Sequence, residues 1–558
     1  MNIGINEGIG GSCVTIDNAN TTFTNNGTLN CADADFDGVL VDDGSSFINK
    51  GAFIVSENGA PIRAGISCFG CARIENDGGA IEINHVDLYP IYTEFNNASD
   101  RIVNKNGGEI KLQLDSPLGS NTVAVFITNE TGGLQNDACS KLYLGNNVRL
   151  TGVSNTFYDG LIVSYSNLNS VIDNNDGIIY QIGDGTFSAS SGSGSVSNEE
   201  ACIWTGCIDN NWEKDINWTI TKPKSTDRAI IPQTDNDPIL STNQNIQSLI
   251  VEENASLTLN GVLTVANSDM NAAEINGTMH INDALQAVAA DQNGLVIKRN
   301  GIINVNSGAT LSATNSKTHQ ILIDTLANLN IQNSATVVTS IPSNTDGFSL
   351  LNEGKMVNDG LVGFFSNDHN NLYHVVNNDS LINNGRFILL ASDADGSILL
   401  ANECVFINNG KLDINTIEEN NFNIGLSNSG IFINQGSDTL TMNNNNQFWN
   451  TGSFTNTAFI TMEGGISLFE DTLTNLGFLS TEQSLFVSSG AVFELAGIVD
   501  VYKDFTNEGV VTPFGFISLV RMQGSENAII EGVDSLGALN IMKDNPTSTC
   551  TLEGNLSI

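Results

Sequence analysis

Along most of the chain, apolar residues alternate with polar ones in runs of 3 to 6, separated by Asn, Asp, Gly and Ser. Phe387-Ile388-Leu389 and Leu412-Asp413-Ile414 have the period of two that sends alternate side chains to opposite faces of a strand. No stretch of any length combines a 3.6-residue period with helix caps. The runs gather around one phrase: apolar, any, Asn, any, Gly, any, apolar. It reads FINNGKLDI at 406–414, FINKGAFIV at 47–55, LINNGRFIL at 381–389, LSNSGIFI at 426–433, LTNLGFLS at 473–480 and FTNEGVV at 505–511. Its Asn falls at 25, 49, 76, 104 and 129, then at 358, 383, 408, 428, 450, 475 and 507, mostly about 25 residues apart. A period of that size marks a solenoid, in which one repeat cannot bury its own apolar face and needs neighbours. Three short strands and three turns per repeat predict an all-β chain, a right-handed parallel β-helix with like residues stacked about 4.8 Å apart.

The phrase supplies its own corners. Asn25 and Gly27, Asn49 and Gly51, Asn383 and Gly385, Asn408 and Gly410, Asn428 and Gly430, Asn475 and Gly477, and Asn507 and Gly509 are its corner pairs. Glycine and asparagine accept the positive φ of a tight turn, and stacked asparagines can hydrogen-bond up a column. The phrase is therefore a corner and not a catalytic motif.

Two segments are expected. Residues 1–198 form the first and end in a Ser/Gly-rich linker, TFSASSGSGSVSNEE at 186–200. Residues 199–558 form the second, opened over 199–240 by a Trp-rich cap holding Trp204, Trp212 and Trp218. A cluster of tryptophans can also stack on sugars, so cap and glycan contact both stand. Roughly 20 rungs would make a stiff rod on the order of 100 Å long. The chain stops in mid-pattern, and the array is expected to continue beyond Ile558.

Charge narrows the partners. With 21 basic against 62 acidic side chains the net charge is −41, yet only 15% of residues are charged and 40% are hydrophobic, so this is a folding chain. It carries too little base to track nucleic acid or settle on an anionic membrane, and no apolar run is long enough to insert in one. An acidic surface suits a salty, calcium-rich exterior. The nine cysteines form no tight framework: Cys68 and Cys71 read as a local disulfide or buried thiols, and Cys202 and Cys207 could staple a loop.

Calcium is the one cofactor the sequence raises. Asp33, Asp35 and Asp37 precede Gly38 as acids do in a calcium loop, but Gly44 stands where a bidentate Glu belongs. His369 and His374 are too far apart for a helical metal pair, and no nucleophile elbow or phosphate loop occurs.

The Asn-any-Gly rungs, Trp204-Thr205-Gly206 through Asn217-Trp218 to Ile231-Pro232, and the closing LGALNI and LEGNLSI resemble the secreted repeat-rich surface proteins of Bacteroidota, the cargo of type IX secretion. The resemblance implies a β-helix adhesin or appendage subunit at the cell surface, without enzymatic activity. Its partners would be copies of itself or sister surface proteins, and glycans or other cells. The alternative is a polysaccharide lyase or glycoside hydrolase, since both use this fold.

Overall fold

The computed structural model describes residues 11–558 apart from 33, 35, 56–61, 85, 96, 98, 114–124, 128–132, 138, 152–156, 159, 175–176, 192–194, 198–200, 342–346, 367–372, 392–396, 418–422 and 516. Short alternating runs become strands because each has one apolar face to hide. In Val405–Asn408 and Ile431–Asn434 every second residue is buried, and the residues between reach the surface. Among the described residues there is no α-helix, only a 3-10 turn at Asp215–Asn217. The named strands whose register is resolved all pair in parallel, and the chain is a parallel β-helix, as the repeat predicts.

The chain forms two compact units, 1–209 with 214–221, and 210–213 with 222–558. In the first, each turn gives one strand to each of three sheets. Asp37–Asp42, Ser46–Asn49 and Ala52–Val55 make one rung; Ile62–Phe69, Arg73–Asp77 and Ala80–Ile83 make the next. The second unit also has three strands to a rung, two of them in one 27-stranded sheet and the third in a 14-stranded sheet. Leu350–Asn352, Lys355–Asn358 and Leu361–Ser366 lie beneath Tyr373–Asn377, Ser380–Asn383 and Arg386–Ala391.

In-register stacking puts like on like in the core. Phe406, Phe432 and Phe454 are partners in register, with ring centroids 4.7 and 4.9 Å apart and planes within 10° of parallel. Each is almost wholly buried, a burial worth about 1.5–3 kcal/mol per phenylalanine.

Stacking also explains the corner glycines, by a reason other than the expected one. Gly385, Gly410, Gly430, Gly477 and Gly509 are not in the positive-φ region, and neither are the asparagines two residues before them. What each glycine provides is clearance. A Cβ on Gly410 would lie 2.0 Å from the Gly385 carbonyl oxygen, one on Gly385 2.1 Å from that of Gly360, and one on Gly51 2.0 Å from that of Gly27. The rungs meet there by a backbone bond, Lys411 N–H to Gly385 O at 2.9 Å, which fixes the approach. Gly27, in the lowest of these rungs, has open space instead.

Two glycines separate the explanations. Gly410→Ala is expected to destabilise the chain by more than about 3 kcal/mol, because backbone must move. Gly308, at φ 81° with nothing near its missing Cβ, should lose only about 1–2 kcal/mol on becoming Ala. Thermal unfolding of both variants checks this; equal losses would contradict close approach as the constraint.

Candidate functional site

The asparagines of the phrase are buried polar groups, and a buried primary amide is costly unless all its hydrogens and its oxygen are engaged. Here they are engaged with one another. In the first unit Asn25, Asn49, Asn76, Asn104 and Asn136 stand in register. Each Nδ2 donates to the Oδ1 of the next, at 2.8, 2.9, 2.9 and 2.8 Å. The second hydrogen goes to a main-chain oxygen of the next rung, as from Asn25 to Ala52 and from Asn49 to Ala80.

The second unit carries two such columns, not one. Asn352, Asn377, Asn402, Asn428 and Asn450 line one corner, bonded at 2.6 to 2.7 Å. Asn358, Asn383, Asn408, Asn434, Asn456 and Asn475 line another, at 2.7 to 2.8 Å. The single series read from the sequence mixed these corners: Asn383, Asn408 and Asn475 belong to the second, Asn428 to the first. Asn507 falls above Asn450 in register but with Leu468 and Val487 between, so it joins no column; its Nδ2 donates to Gly509 and Gly532 oxygens. Asn129 lies outside the described residues, and the fifth member of the first unit's column is Asn136.

Asn377, Asn402 and Asn456 escaped the phrase because Asp379, Cys404 and Ala458 replace its glycine. The signal that would have found them is a spacing of six: Asn352 and Asn358, Asn377 and Asn383, Asn402 and Asn408. Every column also runs one way, with each amide donating toward higher residue numbers. Aligned amide dipoles polarise one another, which strengthens each bond by about 10–30%.

Buried carboxylates are likewise committed to neighbouring rungs. Asp37 accepts from Arg63 Nη2 at 2.8 Å and from Ser67 Oγ at 3.0 Å. Asp413 accepts from Arg386 Nη2 at 2.9 Å and Thr441 Oγ1 at 2.6 Å, with Lys411 Nζ 3.1 Å away. Asp500 takes both Arg521 Nε and Nη2 at 2.5 and 2.6 Å, and Lys105 bridges to Glu75 at 2.8 Å. These are clamps by arginine and lysine, mostly between rungs, not a carboxylate pair facing a groove.

Of the calcium candidates, Asp37 is buried against Arg63, a neighbour that competes with any cation, while Asp33 and Asp35 lie outside the described residues. Among the described residues no group of three or more His, Cys, Asp or Glu could hold a metal ion. His374 is buried on Tyr373–Asn377, and His369 lies outside the described residues.

The tryptophans present no face to a sugar. Trp204 and Trp218 pack edge to face at 5.2 Å within the first unit, joined by an isolated antiparallel bridge. Trp212 belongs to the second unit, and all three are fully buried. The Trp-rich stretch is thus divided between the two units. The Cys68–Cys71 disulfide is present, but Cys207 lies against Cys139 and not Cys202. No helix among the described residues is long and apolar enough to cross a membrane.

Compared with family models, curated proteins and solved structures, the chain matches none.

Two outcomes follow from this geometry. Asn408→Ala removes the acceptor of Asn383 Nδ2 and the donor to Asn434 Oδ1, at a cost of about 2–4 kcal/mol. Amide hydrogen exchange should quicken in the rungs around 383–434 and stay unchanged at 246–310, because solenoid rungs couple to their neighbours; uniform quickening would contradict a local role. The second concerns Asp413. Burial opposes its ionisation, but the bonds from Thr441 and Arg386 and the Lys411 charge outweigh that and hold its pKa below the ordinary 3.8. The clamp's stabilisation is therefore full above about pH 4 and lost as pH falls through the folded value. Asp413→Asn should cost about 1–2 kcal/mol at pH 7, a deficit that shrinks toward pH 2; urea unfolding at both pH values reads it.

Proposed function

We propose that the chain is a structural or adhesive subunit of an extracellular cell-surface filament or appendage, associating with copies of itself or with sister surface proteins. The observation that carries this reading is the unbroken asparagine column from Asn358 to Asn475, spanning six successive rungs. A chain that repeats one self-complementary rung invests its polar core in axial continuity, and load along the axis is shared by backbone ladders and amide columns alike. Buried acids clamped by arginine fit a scaffold better than a hydrolase, whose carboxylates must stay open to substrate. The acidic composition suits a cation-rich exterior. The resemblance to type IX secretion cargo points the same way. Glycans or other cell surfaces would be met by exposed side chains.

Electron microscopy of the native protein sheared from its cells tests the reading. Ordered rods, rings or fibres built of this chain are expected. Isolated monomers that digest an acidic polysaccharide would overturn it in favour of the enzyme.

A further inference from the structure

The first unit brings two further pairs of cysteines together, and the rungs that neighbour each pair show why. Cys13 precedes Val14, which pairs with Val39, so its place in the stack is that of Gly38 and, one rung on, Gly65. Cys31 shares a column with Val55 and Ile83. A Cβ built on Gly38 points at Val55, 3.3 Å from its methyl, and one on Gly65 would lie 2.6 Å from Ile83 side-chain carbons. The position of Cys13 therefore faces the position of Cys31 across each rung. Where the upper rungs fill the space with glycine against Val or Ile, the lowest fills it with two cysteines. Both are buried, and Cys31 Sγ lies 3.5 Å from the Gly38 oxygen.

Cys139 stands at another recurrent corner. Glu109 pairs with Ala80 and Lys141, which aligns Gly78, Gly107 and Cys139, with φ of 70°, 76° and 73°. Two rungs meet this left-handed demand with glycine, and the third holds a cysteine there despite the strain. Ile216 and Thr219, of the same unit, lie near this column. Ile216 Cδ1 is 3.5 Å from a Cβ placed on Gly107, and Tyr143 Oη donates to Thr219 O at 3.0 Å. Cys207, just after Gly206 with φ 59°, is thereby set against Cys139.

We infer that Cys13–Cys31 and Cys139–Cys207 close as disulfides when the chain meets an oxidant of the small-molecule disulfide class. For the second pair, the Cys139 thiolate attacks one sulfur of that disulfide and expels a thiolate. Cys207, once deprotonated, then attacks the Cys139 sulfur and expels the other half. One S–S bond forms and one breaks, two electrons pass to the oxidant, and both protons end on the two released thiols. The Cys207 hydrogen bond lowers the Cys139 pKa against the effect of burial, and Lys141 helps, which suits Cys139 to attack first. The Cys139–Cys207 bridge would tie the stretch holding Trp204 and Trp218 to the rungs of its own unit; the buried Cys13–Cys31 bridge must form as the first rung folds.

The full chain, unfolded with its thiols reduced and then refolded with oxidised glutathione, tests this without a variant. It is quenched in acid, alkylated, digested with pepsin and mapped by mass spectrometry without reduction. The result expected is three bridges, Cys68–Cys71, Cys13–Cys31 and Cys139–Cys207, with Cys202, Cys404 and Cys550 alkylated. Recovery of Cys13 and Cys31, or of Cys139 and Cys207, as alkylated thiols beside an intact Cys68–Cys71 bridge overturns that pair. A Cys202–Cys207 bridge overturns the second as well. In Cys139→Ser the Cys207 thiol should become fully alkylatable, and a bridge from Cys207 to any other residue would count against the assignment.

Discussion

An amide buried without water must find partners for two hydrogens and an oxygen, and a column of asparagines solves this only if every rung stops at the same height and angle. That requirement governs the rest of the structure. A rung slipped by one residue would carry its asparagine to the outer face and an outer residue inward, leaving amides above and below unpaired at once. The column therefore checks the register of the whole rung, strands included. The apolar core alone is more forgiving, since Phe, Leu and Ile exchange places in it: Asn456 stands over Asn434 as Phe454 stands over Phe432, but Leu473 follows Phe454 without loss.

The corner glycine follows from the same constraint. For Nδ2 to reach the next Oδ1 at about 2.7 Å the corners must nest, and nested corners leave little room for a Cβ. Hence Asn and Gly recur together. Another residue replaces the glycine in both columns, Cys404 after Asn402 with its side chain partly outside and the small Ala458 after Asn456 buried. The arginine clamps on Asp413 and Asp500 tie neighbouring rungs from the outer face, so a strongly acidic chain places its few bases where they neutralise the acids it buries.

The fold was legible in the sequence because period-two alternation and a 25-residue repeat are both local signals that survive without coordinates. The corner was legible as a place but not as a mechanism. Positive φ is the commoner reason for glycine, and close approach becomes visible only when the rung below is present. The column from Asn352 to Asn450 was hidden because Asn377 and Asn402 have no glycine two residues on, so that spacing and burial define it better than the phrase does. The division of the tryptophans was hidden for a similar reason: Trp212 lies between Trp204 and Trp218 in sequence yet belongs to a different unit, and a sequence does not say which side of a ring is covered. The cysteine pairs were hidden further still, because Cys139 and Cys207 are brought together only by the segment that lies near the Gly107 column.

Neutron diffraction from crystals of the protein soaked in heavy water addresses the asparagine columns most directly, because it locates amide hydrogens and separates Nδ2 from Oδ1. The account predicts that every asparagine from 358 to 475 in the second column points Nδ2 toward the next rung, with no water between, and that these amides are the slowest side chains to exchange. Amides that alternate in direction, or water threaded between them, would contradict the claim that direct side-chain bonds hold the rungs in register.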